Sequence, residues 1–190
     1  MGPAAGPCPT MLEVELKFRN PDHSRLIADL HRLGAQSRGE VHQVDEYFNH
    51  PQRDFAQTDE AVRVRESNGQ AALTYKGPLV DRETKTRREI ELDLAGDRAC
   101  EKMTEWLQAI GFRPVLKVEK TRRQWGLQRD GREIEIALDH VTGLGHFVEL
   151  ETVAPESELA SARTTLQELA AEMGLTENER RGYLSMLLGR

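Results

Sequence analysis

The 190-residue sequence predicts an α+β fold, a closed eight-stranded antiparallel β-barrel with flanking helices. Three observations predict it. Eight short segments alternate apolar and charged residues with the two-residue period of a strand. Four others carry apolar residues at helical spacing, enough to cover the outer face of a curled sheet. The charged strand faces also carry same-sign pairs. Like charges at that spacing repel, so a plain solvent-facing sheet gains nothing from them.

The first strand is expected over residues 12–18, where Leu12, Val14, Leu16 and Phe18 face one way and Glu13, Glu15 and Lys17 the other. A helix over 22–33 puts Leu26, Ile27, Leu30 and Leu33 on one stripe, and Gly34 stops it. Strands follow over 41–48, 61–66 and 71–76. Val62 and Val64 oppose Arg63 and Arg65, and Asn68-Gly69 is a hairpin dipeptide. A fifth strand over 85–94 sets Ile90, Leu92 and Leu94 against Lys85, Arg87, Glu89 and Glu91. The helix over 97–110 aligns Met103, Trp106, Leu107 and Ile110 before Gly111. Strands over 115–125 and 133–139 flank a second turn dipeptide, Asp130-Gly131, with Ile134, Ile136 and Leu138 opposing Glu133, Glu135 and Asp139. The last strand, 147–153, sets Val148 and Leu150 against Glu149 and Glu151. Leu159, Ala162, Leu166, Leu169 and Met173 share one face of a helix over 156–173. Thr176 with Glu179 reads as a capping box opening a last helix that carries Tyr183, Leu184, Leu187 and Leu188.

At 38% hydrophobic, the chain can bury one core, expected over residues 11–190. Residues 1–10 lack a basic or apolar leader region and read as a flexible tail, and Gly6 breaks the myristoylation pattern. A net charge of −6 argues against a nucleic-acid-binding surface. No apolar run approaches the roughly 20 residues of a membrane span. Cys8 and Cys100 read as free thiols, which points to a reducing, cytoplasmic location. The histidines show no ligand spacing, and Tyr47, Phe48, Tyr75 and Tyr183 read as packing residues. Arg180-Arg181 reads as a solvated helix face.

Any one strand of this kind is explained by an amphipathic sheet showing its charges to water. The set is not, because acidic pairs (Glu13 with Glu15, Glu149 with Glu151) and the basic pair Arg63 with Arg65 sit on different strands. Closure would put both kinds inside a tunnel. Carboxylates there would ligate Mg²⁺ or Mn²⁺, and Arg and Lys would hold phosphate oxygens. An empty array of buried charge is costly, so a ligand is implied.

These residues resemble the CYTH superfamily, the triphosphate tunnel metalloenzymes. The resemblance runs in order through Glu13-Val14-Glu15-Leu16-Lys17, Val44-Asp45-Glu46-Tyr47-Phe48, Arg63-Val64-Arg65 and Leu73-Thr74-Tyr75-Lys76-Gly77-Pro78. It continues through Lys85-Thr86-Arg87-Arg88-Glu89-Ile90-Glu91, Lys120-Thr121-Arg122, Leu138-Asp139-His140-Val141-Thr142-Gly143-Leu144-Gly145 and Phe147-Val148-Glu149-Leu150-Glu151. The resemblance implies metal ligation by Glu13, Glu15, Glu149 and Glu151 with Asp139 assisting. It implies triphosphate contacts from Lys17, Arg63, Arg65, Lys76, Lys85, Arg87, Lys120 and Arg122, with Lys17, Arg63, Lys76 and Lys120 central to catalysis. Glu89 and Glu91 would hold basic neighbours in place. The wording of the motifs is similar to class IV adenylyl cyclases, which implies ATP as substrate, cyclic AMP and pyrophosphate as products, and a homodimer. The same tunnel would serve a triphosphatase acting on tripolyphosphate, thiamine triphosphate or a nucleotide. A non-catalytic polyphosphate-binding module is the third reading.

Overall fold

The computed structural model describes residues 10–19, 22–81 and 84–189. Most of the leader expected as a tail, residues 1–9 with Cys8, lies outside them. Eight strands form one antiparallel sheet: β1 (Met11–Arg19), β2 (Gln36–Asn49), β3 (Ala61–Ser67), β4 (Gln70–Lys76), β5 (Glu89–Leu94), β6 (Arg113–Arg129), β7 (Arg132–Val141) and β8 (Gly145–Pro155). Their order across the sheet is β1-β8-β7-β6-β2-β3-β4-β5. Both hairpin dipeptides adopt the conformation their sequence demands. Asn68 and Gly69 have φ of +48° and +84°, and Asp130 and Gly131 have +52° and +74°, with both central residues left-handed as a two-residue hairpin requires.

The sheet curls, and the segment leading into β5 closes it. The Glu13 amide donates to the Arg87 carbonyl at 3.0 Å and the Arg87 amide returns a bond to the Glu13 carbonyl at 3.2 Å. The Lys85 amide donates to the Glu15 carbonyl at 3.1 Å. The fifth strand therefore begins at Glu89 and not at Lys85. Residues 85–87 leave the β4 ladder to meet β1, whose free edge supplies the backbone partners.

The helices lie outside the curl, in two groups. α1 (His23–Arg32) is capped by Asp22, whose side chain accepts from the Arg25 amide at 3.0 Å. With α4 (Leu159–Glu172) it covers the outer faces of β1, β6, β7 and β8, burying Leu26, Leu30, Leu166 and Leu169 against Val14, Ile136, Val148 and Leu150. Each such side chain contributes about 1.5–3 kcal/mol. α2 (Phe55–Thr58), a single turn without a sequence signal, and α3 (Ala99–Ala109) cover β2, β3 and β4 through Phe55 and Leu107 packed with Phe48, Val62 and Val64. The stripe expected on α3 is only half used, since Trp106 and Ile110 are about half exposed.

The last helix differs most from expectation. α5 spans only Tyr183–Leu187, and Thr176 caps nothing. The preceding segment runs extended along β1, where Asn178 bridges Phe18 and the Glu179 amide donates to the Lys17 carbonyl at 2.6 Å. An open β1 edge outcompetes a capping box because its backbone groups would otherwise lack partners. Arg180 and Arg181 sit in this segment beside the cavity, not on a helix face. No helix among the described residues is long and apolar enough to cross a membrane.

Candidate functional site

Residues opposite one another in an antiparallel pair share a face, so the register alone predicts what meets inside the curl. Glu15 pairs with Glu151 and Lys17 with Glu149 between β1 and β8. Arg122 pairs with Asp139 between β6 and β7, and Asp45 with Arg65 between β2 and β3. Arg63, Thr74 and Glu91 form a row across β3, β4 and β5, and Lys76 faces Glu89. These rows line a cavity of about 1060 Å³. All thirteen residues that the sequence put forward lie on it or, for Asp139, directly behind its lining.

Asp139 is fully buried and saturated. It accepts from Arg122 Nε and Nη2 at 2.7 Å each, from Lys120 Nζ at 3.2 Å and from the Tyr183 hydroxyl at 2.9 Å. Burial opposes its charge, but Arg122 and Lys120 outweigh burial and hold the carboxyl below its usual range. Arg122 also bonds Glu149. Lys17 Nζ lies 3.4 Å from Glu15, 3.2 Å from Glu149 and 4.2 Å above the Tyr183 ring, and donates to the Arg181 carbonyl at 3.2 Å. Its neighbouring carboxylates more than offset burial and keep it charged. Lys85 bonds Glu15 at 2.9 Å. Burial works against the Glu15 carboxylate, yet Lys85 and Lys17 hold it at about 2. Burial, reinforced by Lys17, brings Lys85 down to about 8, and burial with Arg122 does the same to Lys120.

The other carboxylates behave oppositely. Glu13 is pushed well up by burial and by Glu151, Glu89 and Glu15, although Lys76 lies 3.7 Å away. Glu151 rises to about 7, mainly through burial, with Glu15 and Glu135 adding to it and Lys76 opposing. It has no ion-pair partner among the described residues. This corner of the cavity holds more negative charge than its cations neutralise.

That imbalance bears on whether a divalent cation fits. Among the described residues no three acidic, histidine or cysteine side chains already form a closed cage. Mg²⁺ does not require one, because it binds through one or two carboxylates and completes its shell with water and substrate phosphates. Glu13, Glu15 and Glu151 are hard oxygen donors on one wall, and burial with mutual repulsion raises two of them, Glu13 and Glu151, above the usual carboxylate range. The donor set fits. Asp139 stands apart, since its oxygens are already occupied by Arg122, Lys120 and Tyr183. Arg87 is also set apart, its Nη1 spent on the carbonyls of Asp59 at 3.0 Å and Gly77 at 3.4 Å.

Some lining residues escaped the sequence reading. Asp45 binds both Arg63 and Arg65, Tyr183 lines the cavity while packing with the core residues Phe147 and Val141, and Gln43 and Glu135 also line it. Asp45 and Glu46 are adjacent charges, so alternation could not say which of them points in. Tyr183 reads as apolar core in sequence because its helix is apolar. Glu89 and Glu91 do engage basic and hydroxyl neighbours, Lys76 and Thr74, as the resemblance implied.

A family model described as the CYTH domain matches residues 11–183. A Methanocaldococcus jannaschii protein provisionally named an adenylate cyclase is 34% identical over 93% of this chain and 98% of its own. The solved PH1819 protein of Pyrococcus horikoshii is 39% identical with a TM-score of 0.82, covering 93% of this chain and 98% of that one. At 17% identity and a TM-score of 0.64, covering 95% and 96%, the fold is shared by HpAC1 of Hippeastrum, a candidate adenylyl cyclase described as revealing a dominant triphosphatase activity. Motif order, the curled sheet with its inward charges and these likenesses agree: the chain belongs to the CYTH domain family.

Proposed function

We propose that this chain is a metal-dependent enzyme of the class IV adenylyl cyclase type, converting ATP to cyclic AMP and pyrophosphate within the charged tunnel. One observation carries the reading. Buried cations Lys17, Arg63, Lys85, Lys120 and Arg122, with the part-buried Lys76, share a cavity of about 1060 Å³ with the crowded carboxylates Glu13 and Glu151. That volume exceeds what a bare polyphosphate fills and lies at the upper end for organic ligands. The name of the 34% identical relative supports the same choice.

In this reading Arg63, Arg65 and Arg122 bind phosphate oxygens through their planar donor edges, and Lys17, Lys76, Lys85 and Lys120 as point charges. Arg87 adds a donor at the seam. Their positions are fixed before substrate arrives by Asp45, Glu89, Asp139 and Glu149, so little reorganisation accompanies charge build-up on the leaving pyrophosphate. Held by Glu13, Glu15 and Glu151 with Glu149 adjacent and Asp139 behind, Mg²⁺ or Mn²⁺ would neutralise phosphate charge and acidify the ribose 3′-hydroxyl. Residues 11–190 act as one domain.

The second reading keeps every contact and replaces the ribose hydroxyl with water, making the protein a triphosphatase. The charged lining favours it as much, because no phosphate contact depends on a base. Incubation with ATP and separately with tripolyphosphate, each with Mg²⁺ or Mn²⁺, decides between them. Cyclic AMP with pyrophosphate is the expected outcome, whereas orthophosphate mainly from tripolyphosphate would replace the proposal with the second reading. Glu13→Gln with Glu15→Gln should abolish either turnover. Unchanged turnover in that variant would contradict both.

A further inference from the structure

Arg63 and Arg65 project from one face of β3 into the tunnel wall, nine-tenths and about six-sevenths buried as side chains. Two guanidinium groups so placed repel one another and have lost most of their hydration. A single carboxylate sits between them. Asp45 Oδ1 accepts from Arg65 Nε at 2.6 Å, and Oδ2 accepts from Arg65 Nη2 at 2.7 Å and Arg63 Nη1 at 3.3 Å. Its side chain is 3% exposed, and Arg63 chiefly, with Arg65, keeps it ionised against the cost of burial. Thr74 Oγ1 accepts from Arg63 Nε at 3.3 Å and its hydroxyl donates to Glu91 at 2.8 Å.

The cluster keeps one positive charge in excess, since Glu91 reaches Arg63 only at 3.8 Å and is half exposed. Its geometry is more specific than its charge. The fork of Arg65 is used edge-on, which fixes the plane of the guanidinium and leaves its Nη1 donors for a ligand. Arg63 is clamped from two sides. We propose that Asp45 is a positioning residue, holding Arg63 and Arg65 as one preorganised pair for a polyphosphate chain in the tunnel. The inference rests on the polyphosphate reading of the cavity but not on whether the enzyme is a cyclase or a triphosphatase.

A neutralising role and a positioning role predict opposite signs. If Asp45 only dilutes positive charge, Asp45→Asn makes the wall more cationic and tightens anion binding. If it positions the pair, the same substitution frees both arginines and weakens binding despite the added positive charge. The test is binding of tripolyphosphate by thermal shift and titration calorimetry, with Mg²⁺ and again with EDTA. Asp45→Asn should weaken binding about tenfold, and by no more than about twofold in a background of Arg63→Gln and Arg65→Gln, because coupled residues are non-additive. Asp45→Glu keeps the charge but displaces the fork, and should weaken binding in the same direction even if Asp45→Asn folds poorly. Tighter or unchanged binding in these variants, or penalties that simply multiply across the double background, would overturn the proposal. Failure of the unaltered protein to bind tripolyphosphate would instead remove the polyphosphate reading itself.

Discussion

Glu179, whose amide ties the C-terminal segment to the Lys17 carbonyl of β1, accepts from the Arg181 amide at 3.1 Å and guanidinium at 2.9 and 2.6 Å within that segment. Those bonds hold its carboxyl at about 2, against a smaller opposing effect of burial. The folded value lies below the ordinary 4.5, so the contribution is fully present above 4.5 and is lost as pH falls through about 2. In urea unfolding, Glu179→Gln should be less stable than the parent near neutrality, and the gap should close as the pH approaches 2. A gap independent of pH would show that the charge is not what the substitution removes. Tyr183→Phe deletes the donor to Asp139 but keeps the ring, and should cost about 1 kcal/mol by the same measurement. At this scale the sequence was legible where like charges repeat on a strand, as at Glu13 with Glu15 and Arg63 with Arg65. It was not legible where one residue's role depends on another element, as for Asp45 opposite Arg65 of β3 or Tyr183 bonded to Asp139 of β7.

Among the elements, α3 and α4 both carry an apolar stripe in sequence, yet the structure uses them unequally. Leu166 is fully buried between α4 and the outer sheet, whereas Trp106 on α3 is 54% exposed. Leu166→Ala should cost about 2–5 kcal/mol in chemical denaturation. Trp106→Ala should cost about 0.5 kcal/mol or less, despite removing the larger side chain. Equal losses would mean that α3 is packed far more tightly than its exposure shows. Helical period reports that a face is apolar, not that another element lies over it. The same limit explains the failed capping box at Thr176 and the shortened fifth strand. In both places the open edge of β1 offered backbone partners that local spacing cannot register.

For the whole molecule, a lining of buried charges means that ligand and stability are linked. Anything that binds the folded tunnel alone adds stability in proportion to its occupancy, about 2.7 kcal/mol at a hundredfold excess over Kd. Mg²⁺ with tripolyphosphate should therefore raise the melting temperature by roughly 5–11 °C for a chain of this size. Mg²⁺ alone should raise it less, and the rise should be lost in Glu13→Gln with Glu151→Gln, whose carboxylates are buried and crowd one another. No shift with either addition would argue that the cavity takes neither. The architecture itself was readable because alternation, hairpin dipeptides and helix spacing all agreed on it. The seam was not, since it depends on residues 85–87 abandoning their own ladder.

The sheet order sets β1 beside β8, and Lys17 hydrogen-bonds Asn178 and Arg181, 161 and 164 residues away. During synthesis β1 must therefore wait for β8 and for the segment that precedes α5. A nascent chain can complete the α3 side early, but it has no tunnel and no floor until β8 and α5 have left the ribosome. Its charged strand faces stay hydrated until then. A chain stalled before β8 would have no complete tunnel and would be left with an unpaired β1 edge.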